Sequence, residues 1–131
     1  MHLRTQLLFS SIFAATGITI LALAAHYLQK ILPEAQVNSI KTAANIQLIH
    51  SVAIVALSNL HATINLSALK RALNFMIAGI IAFSFSIYIL SLNKIFELSW
   101  LKILGPITPI GGILLIISWS IISIHIYKST K

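Results

Sequence analysis

The chain's stock of reactive side chains is small: five histidines, two glutamates, no aspartate and no cysteine. Without cysteine there is no disulfide scaffold, no CxxC redox pair and no thiolate metal site. Glu34 and Glu97 stand alone in polar segments, so there is no carboxylate pair for hydrolysis. No Ser/His/Asp set and no phosphate-cradling glycine pattern occurs either. The residues left with usable chemistry are His26, Gln47, His50, Ser84, Tyr88 and Thr108. Two imidazoles can hold a ligand, a proton or a metal ion, and the other four can supply hydrogen bonds around it. The competing explanation is a polar network between helices, which in membranes contributes about 0.6 kcal/mol per pair. Two histidines with no acidic partner make a poor proton relay. A catalytic zinc site commonly takes three protein ligands, which are missing here. Haem would need His26 and His50 to meet axially across one iron, and no second pair repeats their spacing. No metal and no cofactor is expected, and the chain is not expected to be an enzyme. His2 and His125 lie near the ends and are expected to be solvated, while His61 falls toward the opposite face from His26.

These residues must be positioned by membrane-spanning helices. Of 131 residues, 58% are hydrophobic and 8% are charged. Soluble domains are about a quarter charged, and disordered chains are poor in hydrophobic residues. The charges leave residues 5–29, 42–69, 72–93 and 103–127 free. A bilayer core of about 30 Å takes roughly 20 apolar residues in a helix, so each gap fits one span and is too short for two. The spacing predicts an all-α integral membrane four-helix bundle, up-down-up-down, formed by one domain over residues 1–131. Its helices are expected over about 6–28, 43–66, 72–92 and 109–127, with an interfacial segment at 93–104. The net charge of +7 does not point to nucleic acid, because the basic residues occur singly or in one pair at the ends of apolar runs. Four spans put both termini on one side, with Arg4, Lys70, Arg71, Lys128 and Lys131. Lys30, Lys41, Lys94 and Lys102 fall on the other. The excess of positive charge, with Lys70 and Arg71 in a short hairpin loop, favours N-in/C-in. Arg4 and Ala22-Leu23-Ala24 also fit a cleavable leader, but the apolar run from Leu7 to Leu28 exceeds the usual h-region.

Along the chain, the first span is rich in Ser, Ala and Gly, which allow close helix contact. Pro33 marks a break, and residues 33–41 are expected to form a loop whose Asn38 and Ser39 cap the second helix. Gln47, His50, Ser58, His61 and Asn65 then form one helical stripe, which should face the bundle. Ser84, Tyr88 and Ser91 share a face of the third span. Phe96 and Trp100 suit a membrane–water interface. Thr108 is expected to cap the fourth helix with Pro109 at its first position. Gly105, Pro109, Gly111 and Gly112 there offer close packing or access to the backbone. Asn65-Leu66-Ser67 fits a glycosylation sequon only by chance, lying in the cytoplasmic turn. No internal repeat supports inverted-repeat transport. Connectivity brings His26, His50, Tyr88, Thr108, Gly111 and Gly112 toward the face opposite the termini.

Several stretches resemble the YgdD/YwdK-like family of small bacterial membrane proteins, catalogued as domain of unknown function 423, to which a small eukaryotic transmembrane protein is similar. Residues 104–112, Leu-Gly-Pro-Ile-Thr-Pro-Ile-Gly-Gly, with the later Trp119, resemble the family's TP-x-GG segment and tryptophan. Gly79 with residues 83–88 is similar to its G-x-x-x-F-S-G-S-L-Y stretch. Residues 22–26 resemble the G-A-F-G-A-H end of helix one, and Thr42, Ala43, Gln47 and His50 the start of helix two. The chain departs from the pattern at Leu21, Ala24 and Tyr27, where glycine is usual, at Ile46 for tyrosine, and at Phe85 for glycine. The resemblance implies four helices in a bacterial inner (plasma) membrane and carries no assigned activity.

The expected function is that of a structural or accessory membrane protein, binding a membrane partner or lipid through the polar cluster near the non-cytoplasmic face. A small solute or proton carrier is the first alternative, and a haem- or quinone-binding electron-transfer protein the second. The expected partners are the lipid bilayer and another membrane protein or a second copy of the chain.

Overall fold

The computed structural model describes residues 2–59, 65–96 and 98–129, with positions 94 and 96 described by their backbone alone. Four long helices carry these residues. Helix α1 is Leu3–His26 and α2 is Glu34–Leu57. Helix α3 covers residues 66–96 in three joined stretches: α-helical Leu66–Ile80, a π-helical turn at Ile81–Phe85, and α-helical Ser86–Phe96. Helix α4 is Ile107–Ser129. Short 3₁₀ turns at Leu28–Lys30 and Ser99–Leu104 lead into the connections. All four helices are long and apolar enough to cross a membrane.

Cross-helix hydrogen bonds reveal the directions. Ser10 meets Ser51 and Thr16 meets Gln47, so α1 and α2 are antiparallel. Ala72 meets Ser118 and Ser86 meets Thr108, so α3 and α4 are antiparallel too. Gln6 bonds Asn74 near the starts of α1 and α3, and Phe13 packs on Phe85 further along, so those two run parallel. The bundle is up-down-up-down, and residues 2 and 129 lie at the same end.

The helix limits differ from those expected from charge. Helix α2 starts at Glu34, where a loop was expected up to Lys41, and ends at Leu57, short of 66. Pro33 precedes the first helical residue with extended ψ, and the carboxylate of Glu34 sits in the first turn, where it complements the helix dipole. Asn38 and Ser39 are therefore helical residues and not caps. The Ser39 hydroxyl donates back to the Ala35 carbonyl at 2.9 Å. Charges report where a membrane ends, but a helix ladder can continue beyond it. Similarly, α3 starts at Leu66 and continues to Phe96. Asn65 is its cap, accepting from the Ser67 amide at 2.9 Å and the Ser67 hydroxyl at 2.6 Å. Asn65→Ala is expected to cost about 1 kcal/mol, read as a lower thermal midpoint in detergent. Thr108 is inside α4, which begins one residue before it.

Two apolar clusters fill the bundle. Phe13, Ile54, Leu69, Leu73, Met76, Ile80, Leu115 and Ile122 pack together over the middle and the end holding the termini. Ala24, Leu32, Val37, Ile40, Ala43, Ala44 and Tyr88 pack toward the other end. The outer faces expose Leu8, Ile12, Ile18, Ile49, Val52, Ile113 and Ile116, as a lipid-facing surface should.

Candidate functional site

The buried face of α2 follows helical spacing: Val37, Ile40, Ala43, Ala44, Gln47, Ser51 and Ile54. That spacing turns Gln47 into the bundle, where it is fully buried. Its Nε2 donates to the Phe13 carbonyl at 2.7 Å and to Thr16 Oγ1 at 2.8 Å. Its Oε1 accepts from the Tyr88 hydroxyl at 2.9 Å. One neutral amide thus ties α1, α2 and α3 together with both of its N–H groups and its oxygen engaged. A turn away, the buried Ser84 hydroxyl donates to the Ala43 carbonyl at 2.9 Å, a second tie between α2 and α3. Ser51 and Ser10 extend the chain of bonds. Ser51 donates to the Gln47 carbonyl at 2.6 Å and Ser10 to the Ser51 carbonyl.

A separate knot joins α3 to α4 at the π-helical turn. The Ser86 hydroxyl donates to the Phe83 carbonyl at 2.9 Å and lies 2.7 Å from Thr108 Oγ1. Gly111, one turn further into α4, rests directly on this turn. A Cβ added to Gly111 would strike the Phe83 backbone nitrogen and lie 2.7 Å from Phe83 Cα. Gly79 makes the reciprocal fit, since a Cβ there would lie 2.7 Å from Leu115 Cδ2. The π turn and the glycines are therefore one packing feature in which two helix backbones touch.

The family model described as "Protein of unknown function (DUF423)" matches residues 20–112, a stretch that includes Gln47, Ser84, Tyr88, Thr108 and Gly111. The chain belongs to the DUF423 family. It is 36% identical over 107 residues to the UPF0382 membrane protein SAB0533 of Staphylococcus aureus, covering 82% of each chain. It is 29% identical over 127 residues to the UPF0382 membrane protein YwdK of Bacillus subtilis, covering 96% of this chain and 98% of that one. A UPF0382 membrane protein of Haemophilus influenzae is 32% identical over 108 residues, covering 82% of each. No solved structure matches significantly. Four spanning helices and relatives named as membrane proteins make this DUF423 chain a membrane protein.

Of the six candidate residues, Gln47 and Tyr88 bond each other, Ser84 lies a turn along from Tyr88, and Thr108 belongs to the α3–α4 knot. His26 and His50 stand apart from them. His26 is exposed at the end of α1. His50 is half-buried, its Nδ1–H donating to the Ile46 carbonyl at 2.8 Å and its ring 6.3 Å from that of Trp119. Thr16, level with Gln47, is ten residues before His26, about 15 Å of helix rise, and His50 is deeper still. The expected convergence at the face opposite the termini is thus corrected for His50, whereas His26, Thr108 and Gly111 lie toward that face as expected. Because α2 begins at Glu34, Gln47 and His50 lie deep along it instead of near its start. Among the described residues no group of three His, Cys, Asp or Glu side chains could hold a metal. His61 and Glu97 lie outside the described residues.

The four residues singled out for packing divide likewise. Gly111 is buried against α3, while Gly112 has only the Phe83 ring nearby, at 3.9 Å. Gly105 and Pro109 are exposed, and a Cβ at Gly105 would meet only the Lys102 carbonyl, at 3.2 Å. A polar contact missed in the sequence joins α1 to α3: buried Gln6 donates from Nε2 to the Lys70 carbonyl at 2.9 Å and to Asn74 Oδ1 at 2.7 Å. Its Oε1 is buried without a partner among the described residues. The signal was available, because Gln6, Ser10, Phe13, Gly17 and Ala24 are the buried residues of α1 and recur at spacings of 4, 3, 4 and 7.

Proposed function

We propose that this DUF423 chain is a non-catalytic structural or accessory protein of a bacterial inner membrane, which docks on a membrane partner: another membrane protein or a second copy of itself. The observation that carries this is Asn45. It lies on the outer face of α2, exposed between Thr42 and Ile49, with no hydrogen-bond partner among the described residues. Its neighbour Ala44 packs against Gly17 in the middle of α1, so the Asn45 amide faces outward at mid-bundle depth. An amide facing hydrocarbon without a partner is costly, and interhelical bonding to a partner relieves that cost. The inward polar cluster of Gln47, Ser84 and Tyr88 supports the same reading. Its groups are spent on one another, so it suits a rigid scaffold better than a carrier. The slight excess of Lys and Arg beside the chain ends supports placing both in the cytoplasm.

Native capture of the full chain in mild detergent, with mass spectrometry, tests the proposal. A stoichiometric membrane protein or a second copy is expected, and Asn45→Leu is expected to lose it. Capture of the chain alone, or partner binding unchanged by Asn45→Leu, overturns the docking face. Saturable solute uptake into proteoliposomes would replace the accessory role with a carrier.

A further inference from the structure

The end of the bundle that holds residues 2 and 129 has a feature independent of the α2 face. A cleft of 590 Å³ opens between the starts of α1 and α3, lined by His2, Leu3, Arg4, Leu66 and Lys70. This volume falls within the range of about 300–1,000 Å³ typical of small-ligand sites. The cleft's two permanent cations come from different helices, and the bonds from Gln6 to the Lys70 carbonyl and to Asn74 pin those helices together. Arg4 and Lys70 thus line one hollow together with two leucines.

Among the described residues no acidic side chain lines this cleft. Glu34, the one acidic residue among the described residues, opens α2 at the far end of the bundle. Arg71 and Lys128 add further positive charge at the near end. A guanidinium and an ammonium across a gap suit one phosphate, which accepts charge-assisted hydrogen bonds from both. Leucines at the same opening suit the acyl chains attached to it. Basic clefts between membrane helices hold anionic lipid headgroups in this way.

We propose that this cleft binds an anionic phospholipid, with its phosphate between Arg4 and Lys70 and its acyl chains against Leu3 and Leu66. The site does not depend on Asn45 or on a protein partner, so it stands or falls separately from the docking proposal.

The test is native mass spectrometry of the full chain released from nanodiscs of equal phosphatidylglycerol and phosphatidylethanolamine. Preferential retention of phosphatidylglycerol is expected. Each of Arg4→Gln and Lys70→Gln should weaken it roughly fivefold, and the double variant about 30-fold, as expected for loss of one and two interfacial cations. The exchange variant Arg4→Lys/Lys70→Arg should retain the preference. So should Lys41→Gln/Lys102→Gln, which removes the same charge at the far end. Equal retention of the two lipids overturns the proposal, as does an equal loss in the far-end variant. Displacement of phosphatidylglycerol by millimolar inorganic phosphate would also overturn it, by assigning the cleft to a soluble anion.

Discussion

Gly111→Ala is expected to lower stability by about 2–3 kcal/mol, the upper part of the range for overpacking. The added methyl would collide with the Phe83 backbone, lying 2.7 Å from its Cα. A flexible side chain could turn aside, but here the obstacle is the π-helical turn itself. Relief requires α4 to move off α3, and that motion also pulls Thr108 from Ser86, now 2.7 Å apart. Membrane helices gain their association from close packing and hydrogen bonds, without a hydrophobic drive between them, so the displaced contacts are not recovered elsewhere. Gly112→Ala is the matched control. Its nearest neighbour would be the Phe83 ring at 3.9 Å, an ordinary contact. Relieving a helical glycine gains up to about 1 kcal/mol, so this variant should be neutral or more stable. Unfolding in mixed micelles, followed by circular dichroism, measures both. Equal effects at the two glycines would refute the α3–α4 contact.

Gln47→Leu should cost about 2 kcal/mol. The substitution keeps the volume but deletes three bonds, each contributing about 0.6 kcal/mol in a membrane. The Phe13 carbonyl, the Thr16 hydroxyl and the Tyr88 hydroxyl lose their common partner. Tyr88→Phe removes one of the three and should cost about 0.6 kcal/mol. Because they share that bond, the double variant should be less destabilised than the sum by about the same amount. Strict additivity would show that the two side chains do not interact.

Why some of this was readable in advance can be traced to particular residues. Long uncharged gaps predict four spans because an ionised group is costly in hydrocarbon. Helical spacing turns Gln47 inward and puts Ser84 and Tyr88 on one face of α3. Glycines after Thr108 predict close contact because only a residue without Cβ lets backbones touch. Charge position misplaced the start of α2, since Lys41 lies within that helix. With α2 started nine residues late, Gln47 and His50 were drawn too near the end of the bundle and grouped with His26. The π turn had no sequence signal of its own, and the fit of Gly111 onto Phe83 appears only once α3 and α4 are packed.

Composition and charge spacing alone therefore determined the membrane environment, the number of helices and their alternating direction, because transfer of charge into hydrocarbon is penalised wherever it occurs. Tertiary structure decided which polar groups meet. A hydrogen bond depends on ångström-scale register between helices, and that register is set by helix starts and glycine contacts. It pairs Gln47 with Tyr88, leaves Asn45 facing outward, and brings Arg4 and Lys70, distant in sequence, to one cleft.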